Sequence, residues 1–187
     1  MTKKILLITD AWRPQVNGVV TTLTNVVDRI RQEGHEVTVF SPDQCPIRFP
    51  LPGYSEIVLG IPRPTQVAHH LDLLKPDHVH ISTPEGPLGQ IFRIALDRRQ
   101  MNYTTAYHTK FPEFVNAKFN WVPVSVGHKF MKSINSRSKK ILVPTQSMVN
   151  ELEALGYENV KLWSRGYDTG LFKPDHEVNS EKIFVCV

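Results

Sequence analysis

The chain has 187 residues, enough for one α/β domain with a buried core, and its 41% hydrophobic and 21% charged residues exclude intrinsic disorder and collagen-like repeats. The net charge is a modest +4, although residues 108–140 hold seven Lys or Arg against one acid. No apolar run approaches the length of a spanning helix, so we predict neither a signal peptide nor a membrane span. With only two cysteines, far apart, the sequence favours a reducing cytoplasm.

The N-terminal segment predicts a strand–helix–strand unit. Residues 4–9 form an apolar run without alternation, which is typical of a strand buried in a parallel sheet. Apolar residues then recur at spacings of three and four from Val19 to Ile30, which predicts an amphipathic helix that Gly34 can end in the left-handed conformation. Residues 36–41 follow as a second, parallel strand.

The same alternation continues along the chain. A proline-rich exposed loop is predicted over residues 42–53, followed by a weak apolar segment near 57–61. Predicted helices cover 65–74, 87–99, 124–135 and 145–155, and predicted strands cover 78–82, 104–108, 140–143 and 160–163. This order predicts an α/β fold with a doubly wound, mostly parallel sheet and helices on both faces. Residues 182–187 form one more apolar strand, which either opens a second domain or folds back onto the first.

Ligands of doubly wound sheets bind outside the carboxyl ends of the strands. The candidate ligand-binding loops are therefore the three that follow Thr9, Ser82 and Tyr107. In the first, Gly18 opens a helix whose free amides and dipole favour a phosphate, or it forms a tight turn only. In the second, Glu85 can accept hydrogen bonds from a polyol, or it complements the dipole of the next helix. In the third, His108 can bind a sugar or offset charge near a reacting centre, or its hydrogen bonds are structural.

Other chemistries have little support. His78 and His80 share one strand face, but no cluster of carboxylates or cysteines accompanies them at metal-binding spacing, and we expect no metal site. The sequence contains neither a dinucleotide-binding or P-loop glycine motif nor a Gly-x-Ser-x-Gly nucleophile motif. No recognised nucleic-acid-binding motif accompanies the basic residues, so we expect no nucleic-acid partner.

Basic and aromatic residues alternate between positions 111 and 130. Lys129, Lys132 and Trp121 can contact an anionic membrane, with the cations at the headgroups and the ring in the interface. A merely solvated helix face has the same pattern.

Motifs in a fixed order carry a resemblance that spans essentially the whole chain. They are Asn17-Gly18-Val19, Pro76-Asp77-His78-Val79-His80-Ile81, Thr83-Pro84-Glu85-Gly86-Pro87-Leu88-Gly89, Tyr107-His108-Thr109-Lys110-Phe111-Pro112 and Ser164-Arg165-Gly166-Tyr167-Asp168-Thr169-Gly170-Leu171-Phe172-Lys173-Pro174. They resemble the retaining GT-B glycosyltransferases of family 4, and residues 107–112 are similar to the segment of members that glycosylate lipids, especially mannosyl-, glucosyl- and sulfoquinovosyltransferases. Tyr167 and Gly170 depart from the family pattern, where a small aliphatic residue and an acid are usual.

The resemblance implies the N-terminal half of a GT-B fold and transfer of a sugar, with retention of configuration, from a nucleotide donor to a lipid or saccharide hydroxyl. His108 would then be the catalytic residue that hydrogen-bonds the transferred sugar. Gly18 and Asn17 would contact the donor, with Asn17 in place of a glycine common in the family. Candidates for the acceptor side are Asp10, Glu85 and Lys110. No metal ion or other cofactor would be required, because amides and cations would stabilise the leaving group.

The resemblance also implies a domain organisation. Residues 1–174 would form the acceptor-side domain, and residues 175–187 the linker and first strand of a donor-binding domain that the chain does not contain. The chain alone is therefore expected to be inactive. The alternative is a non-enzymatic module that binds an anionic membrane surface or a protein partner. We expect a cytoplasmic protein, with the inner face of the cell membrane as its site of peripheral contact.

Overall fold

A six-stranded parallel sheet forms the centre of the structure, a computed structural model that describes residues 1–166. Its strands and those of a separate hairpin are β1 (Lys4–Ile8), β2 (Glu36–Phe40), β3 (Ile47–Leu51), β4 (Tyr54–Ile61), β5 (His78–Ile81), β6 (Thr104–Ala106), β7 (Ile141–Val143) and β8 (Val160–Leu162). The helices are α1 (Gly18–Gln32), α2 (Pro64–Leu74), α3 (Pro87–Arg98), α4 (Phe111–Lys118), α5 (Val124–Asn135) and α6 (Gln146–Ala154). The predicted mostly parallel, doubly wound sheet is confirmed.

The direction in which strands are added to the sheet reverses at β1. The strand order is β2-β1-β5-β6-β7-β8, so the chain passes through α1 to β2 on one side and then crosses to β5 on the other. Leu6 of β1 pairs with Thr38 of β2 and with Val79 of β5. Because the strands are parallel, the loops after β1, β5 and β6 all begin at one edge, termed here the carboxyl edge. A crevice at such a reversal is where ligands bind in this architecture.

Alternate side chains of the sheet pack against helices on opposite faces. Leu6 and Ile8 are fully buried with Phe92 of α3, whereas Leu7 packs with Leu23 of α1. A third cluster joins β7 to α5 and α6. The alternation within each strand and the apolar stripe along each helix together produce a sheet covered on both faces.

The ends of two helices follow from residues evident in the sequence. Gly34, just after α1, has a φ of 85°, as its predicted left-handed conformation requires. Pro76 disfavours right-handed helical geometry in the residue before it, so α2 ends at Lys75, which adopts the left-handed conformation with a φ of 45°.

The segment predicted as an exposed proline-rich loop contains a strand, so the prediction was wrong there. β3 and β4 form an antiparallel hairpin in which Ile47 pairs with Ile61 and Pro50 with Val58. Proline is tolerated because both strands of a two-stranded ribbon are edge strands. Every residue of β3 except Leu51 is exposed, which explains why no apolar pattern marked it.

Helix α4 and the strand ends also differ from the predictions. The sequence predicts no helix between 108 and 124, yet α4 begins at Phe111, and Pro112 suits its first turn. β5 and β6 end before Ser82 and Tyr107, so these residues belong to the loops of the carboxyl edge. The predicted strand 182–187 and the predicted domain boundary at residue 174 lie outside the described residues.

Candidate functional site

Two hydrogen bonds join the three loops that the sequence analysis singles out. The backbone N–H of Asp10 donates to Thr83 Oγ1 over 2.8 Å, which connects the first loop with the second. Nε2 of His108 lies 2.8 Å from Ser82 Oγ, which connects the second loop with the third. The structure thus brings the three loops together at the carboxyl edge.

His108 is a partly buried imidazole in this group. Its Nδ1 atom lies 3.4 Å from Nη2 of Arg165, and its ring centroid lies 6.3 Å from that of Trp163. Burial and, to a lesser extent, the Arg165 guanidinium lower the pKa of His108 to about 4. The imidazole is therefore neutral at pH 7, with one nitrogen as a donor and the other as an acceptor.

Helix α1 begins at Gly18, and Asn17 caps it. Asn17 Oδ1 accepts hydrogen bonds from two N–H groups of the first turn, each with a length of 3.0 Å. Only the side-chain NH₂ group of Asn17 is therefore left for a ligand. The first turn contains no acid, so no side-chain charge offsets the positive end of the dipole. Gly18 is exposed, and a Cβ at this position would lie 3.7 Å from Nη1 of Arg165. Gly18 and His108 therefore lie on either side of one guanidinium.

Asp10 is 3% exposed at the end of β1. Its Oδ1 accepts the backbone N–H of Gly60 over 3.1 Å, and its Oδ2 accepts the Thr83 hydroxyl over 3.4 Å. Burial raises the pKa of Asp10 to about 7, although both hydrogen bonds lower it. The carboxyl group thus ties the hairpin and the loop after β5 to β1. An acceptor molecule bound by Asp10, as predicted, would share oxygens that already have protein partners.

Glu85 lies directly before Gly86, the N-cap of α3. The first turn of α3 contains no acid, so Glu85 is not the first-turn acid of the alternative interpretation. Burial raises the pKa of Glu85 to about 7; its own backbone N–H lowers it, and the charge of Asp10 raises it. A carboxyl group that is half-protonated near neutral pH can both donate to and accept from the hydroxyls of a polyol.

Lys110 lies at the rim and is paired with α6. Its Nζ atom lies 2.7 Å from both carboxylate oxygens of Glu151, and this hydrogen bond raises the pKa of Lys110. Both side chains are exposed or partly exposed, and such pairs are weak in water. The predicted contact of Lys110 with an acceptor would require this pair to open.

The β3–β4 hairpin reaches from the first loop to α4. Near its base, the side chain of Gln15 donates to the carbonyl of Val58 over 3.3 Å. Near its tip, the Tyr54 ring lies 5.5 Å from the Phe114 ring of α4, and Nζ of Lys118 lies 4.7 Å from the centre of the Tyr54 ring. The hairpin therefore extends one wall of the carboxyl edge toward α4.

An apolar surface covers α5 and the turn before it. This aromatic surface consists of the exposed side chains of Phe119, Trp121, Val126 and Phe130. Trp121 is 79% exposed, and the exposed Lys129 shares a helix face with Val126 and Phe130. Lys132, by contrast, is partly buried, and its ammonium donates to the carbonyl of Leu155 over 3.0 Å. Trp121 and Lys129 are therefore accessible to a membrane, whereas Lys132 is engaged within the fold.

Residues 1–166 contain no group of three or more His, Cys, Asp or Glu arranged to hold a metal ion. Of the histidines on β5, His78 is exposed, and Nδ1 of His80 lies 2.8 Å from Thr104 Oγ1. Burial lowers the pKa of His80 to about 3. That the protein requires no cofactor stays a prediction.

A comparison with family models identifies this fold and its loops. The model described as Glycosyltransferase Family 4 matches residues 16–171, a range that contains Gly18, Glu85, His108 and Arg165. The chain belongs to glycosyltransferase family 4. The resemblance seen in the motifs is confirmed, and the sheet described above is the N-terminal Rossmann-like domain of a GT-B fold.

Curated relatives of this family 4 chain include three proteins named GDP-mannose-dependent alpha-mannosyltransferase. The protein from Mycolicibacterium smegmatis is 26% identical, and the match covers 91% of this chain and 50% of the relative. The protein from Mycobacterium tuberculosis is 25% identical over 91% of this chain and 49% of the relative. For Corynebacterium glutamicum the identity is 22%, over 91% of this chain and 45% of the relative. The chain thus spans about half the length of these relatives.

Two further structural findings concern this family 4 domain. In the part of the chain that the structure describes, no helix combines the length and apolar composition needed to cross a membrane.

Ser82, Thr83 and Arg165 contact the predicted site residues, although the sequence analysis gave them no role. Ser82 and Thr83 stand at the second of the three loops, and Arg165 stands in the motif of residues 164–174, where the sequence marked a resemblance but no role for this cation.

Proposed function

We propose that this family 4 domain forms one wall of the catalytic cleft of a retaining glycosyltransferase. The enzyme transfers a sugar from a nucleoside-diphosphate donor to a hydroxyl of a lipid or saccharide acceptor. The observation that carries the proposal is the placement of His108, a neutral imidazole held by Ser82 opposite the N-terminus of α1. Such an imidazole can hydrogen-bond a hydroxyl of the transferred sugar while positive charge develops on the sugar ring.

The donor side of the cleft lies at the first loop. The backbone amide of Gly18, which has no hydrogen-bond partner among the described residues, and the unneutralised dipole favour a diphosphate, and the absent side chain of Gly18 lets it approach the backbone. Asn17 contributes mainly as the helix cap. Because the relatives are about twice as long, we propose that a second, donor-binding domain completes the cleft and that residues 175–187 lead into it. Their names make GDP-mannose the first donor to test.

The acceptor side lies between the second loop and the hairpin. Glu85 is the strongest candidate for an acceptor hydroxyl, because the protein already satisfies both carboxyl oxygens of Asp10 and pairs Lys110 with Glu151. No metal ion is required in this mechanism, since amides and cations stabilise the leaving diphosphate.

The test is sugar transfer by the polypeptide that carries this domain next to its donor-binding half. A panel of nucleoside-diphosphate sugars, beginning with GDP-mannose, is assayed with the unmodified protein, with His108→Ala and with His69→Ala, whose imidazole is exposed on α2. We expect His108→Ala to lower kcat by about 100-fold or more, as for the loss of a group that stabilises developing charge, and His69→Ala to have no effect. Transfer that is unchanged by His108→Ala would contradict the role of this residue.

The aromatic surface supports a second function, contact with an anionic membrane. The four exposed apolar side chains lie on α5 and in the turn before it, and Lys129 shares a helix face with Val126 and Phe130, which suits the interface of a bilayer. This contact would bring the cleft to a lipid acceptor, and it would remain as a membrane- or partner-binding function if the protein were not an enzyme.

A further inference from the structure

The contact between Arg165 and His108 determines which nitrogen of the imidazole carries the proton. A guanidinium group has only N–H donors, so Nδ1 of His108 must accept at 3.4 Å with its lone pair. A neutral imidazole has its single proton on the other nitrogen, and Nε2–H therefore donates to Ser82 Oγ at 2.8 Å. His108 thus directs a hydrogen-bond acceptor toward the guanidinium.

Arg165 has no acidic partner among residues 1–166. None of the ion pairs there includes it, and its side-chain hydrogen bond goes to a neutral imidazole. The same guanidinium lies beside Gly18 and the positive end of α1, whose first turn contains no acid. An exposed cation next to the positive end of a helix creates a local field that an anion would relieve.

The shape of the contact also suits a diphosphate. Nη1 is directed toward Gly18 and Nη2 toward His108, so the two ends of the fork span the gap between the first and third loops. Parallel N–H donors of this kind bind two phosphate oxygens at once, which a lysine ammonium cannot reproduce.

We propose that Arg165 binds the diphosphate of the sugar-nucleotide donor, and that in its absence Arg165 occupies Nδ1 of His108. Arrival of the donor moves the guanidinium onto phosphate oxygens and frees Nδ1 to accept a hydrogen bond from a hydroxyl of the transferred sugar. Arg165 therefore links occupation of the donor site to the availability of His108. This role rests on the proposed function, because it presumes that the donor lies at this edge.

The test titrates the chain with inorganic pyrophosphate and follows the backbone amide of Gly18 and the ring of His108 by NMR. The variants are Arg165→Ala, Arg165→Lys and, as a matched loss of one positive charge, Lys161→Ala, which is exposed on β8. We expect Arg165→Ala to weaken binding about ten-fold or more, as for the loss of a charge-assisted hydrogen bond. Arg165→Lys should recover only part of that loss, and Lys161→Ala should change binding less than about two-fold.

A second measurement follows the protonation of His108. Because the guanidinium lowers the pKa of His108, Arg165→Ala should raise it, and pyrophosphate should raise it in the unmodified chain by drawing Arg165 away. Equal pyrophosphate affinity in Arg165→Ala and the unmodified chain would overturn the role of Arg165. So would the absence of any perturbation at Gly18 and His108. The proposed function is decided separately, by the effect of His108→Ala on sugar transfer.

Discussion

Ser82 and His108 are joined by a 2.8 Å hydrogen bond across the ends of two adjacent strands, although 26 residues separate them in sequence. Ser82 is 1% exposed, so water cannot easily replace its hydroxyl as a partner of Nε2. The bond fixes the orientation of the imidazole, while the Arg165 contact at Nδ1 determines that Nε2 carries the proton. His108 is therefore held in a defined state before any ligand binds.

Replacing Ser82 with Ala should destabilise the domain and loosen His108. The free energy of unfolding should fall by about 1–2 kcal/mol, because Nε2–H loses its acceptor in a partly buried place. Long-range ¹H–¹⁵N NMR of the imidazole should show a shifted Nε2 resonance, because Nε2–H loses its acceptor, while Nδ1 stays unprotonated because Arg165 still donates to it. Thr109→Ala, which removes an exposed hydroxyl in the same loop, is the control and should change neither quantity. An unchanged Nε2 resonance in Ser82→Ala would show that Ser82 does not hold the imidazole.

Asp10 should make the stability of the domain depend on pH. Folding raises the pKa of this carboxyl from 3.8 to about 7, so the folded state holds the proton over a range in which the unfolded state has lost it. Its stabilising contribution is complete below pH 4 and is lost as the pH rises through 7. Ionised Asp10 then costs the folded state about 4 kcal/mol relative to pH 4.

The measurement compares Asp10→Asn with the unmodified chain by urea denaturation at several pH values. The contributions of other titrating groups to the free energy of unfolding largely cancel in the difference between the two proteins. Asn can still accept the Gly60 N–H through its carbonyl oxygen. The variant should gain stability relative to the unmodified chain as the pH rises from 4 to 8. A difference that is flat with pH would mean that Asp10 has its ordinary pKa in the folded chain.

Gly86 is required for the close packing around Asp10. A Cβ at this position would overlap Oδ2 of Asp10, which is itself held by hydrogen bonds on both oxygens. Gly86→Ala should therefore lower the free energy of unfolding by about 1–3 kcal/mol, as overpacking usually does. Gly166→Ala is the matched control, since no atom of residues 1–166 lies within 4 Å of its added carbon, and it should change stability by less than about 0.5 kcal/mol. Equal stability of the two variants in thermal or urea denaturation would contradict this packing.

The sequence predicted what local patterns determine and missed what distant contacts determine. Strand β1 and helix α1 could be recognised because burial imposes a continuous apolar run and an apolar stripe. β3 could not, because an exposed strand with a proline leaves no such pattern. The alternation of strands and helices predicted a parallel sheet, and parallel strands place the three loops at one edge.

The sequence could not predict the partners of individual side chains. Lys110 pairs with Glu151 across 41 residues, and Arg165 meets His108 across 57. No spacing rule connects such positions, because only the packing of α6 and the end of β8 brings them together. Only the structure shows that Gly18 and His108, whose roles the sequence predicted, have Arg165 as a shared neighbour.

The aromatic surface should carry membrane binding, with Lys129 and Lys132 contributing unequally. In sedimentation with vesicles containing anionic lipid, Trp121→Ala together with Phe130→Ala should weaken binding about ten-fold or more, because both exposed rings would enter the interface. Lys129→Ala should weaken it about five-fold at low salt and less at high salt, since one cation near an anionic surface contributes about 1 kcal/mol. Lys132→Ala should have a smaller effect, because its ammonium is bound to the carbonyl of Leu155. Equal binding to neutral vesicles would contradict the role of anionic lipid, and binding unaffected by loss of the two rings would contradict the role of the aromatic surface.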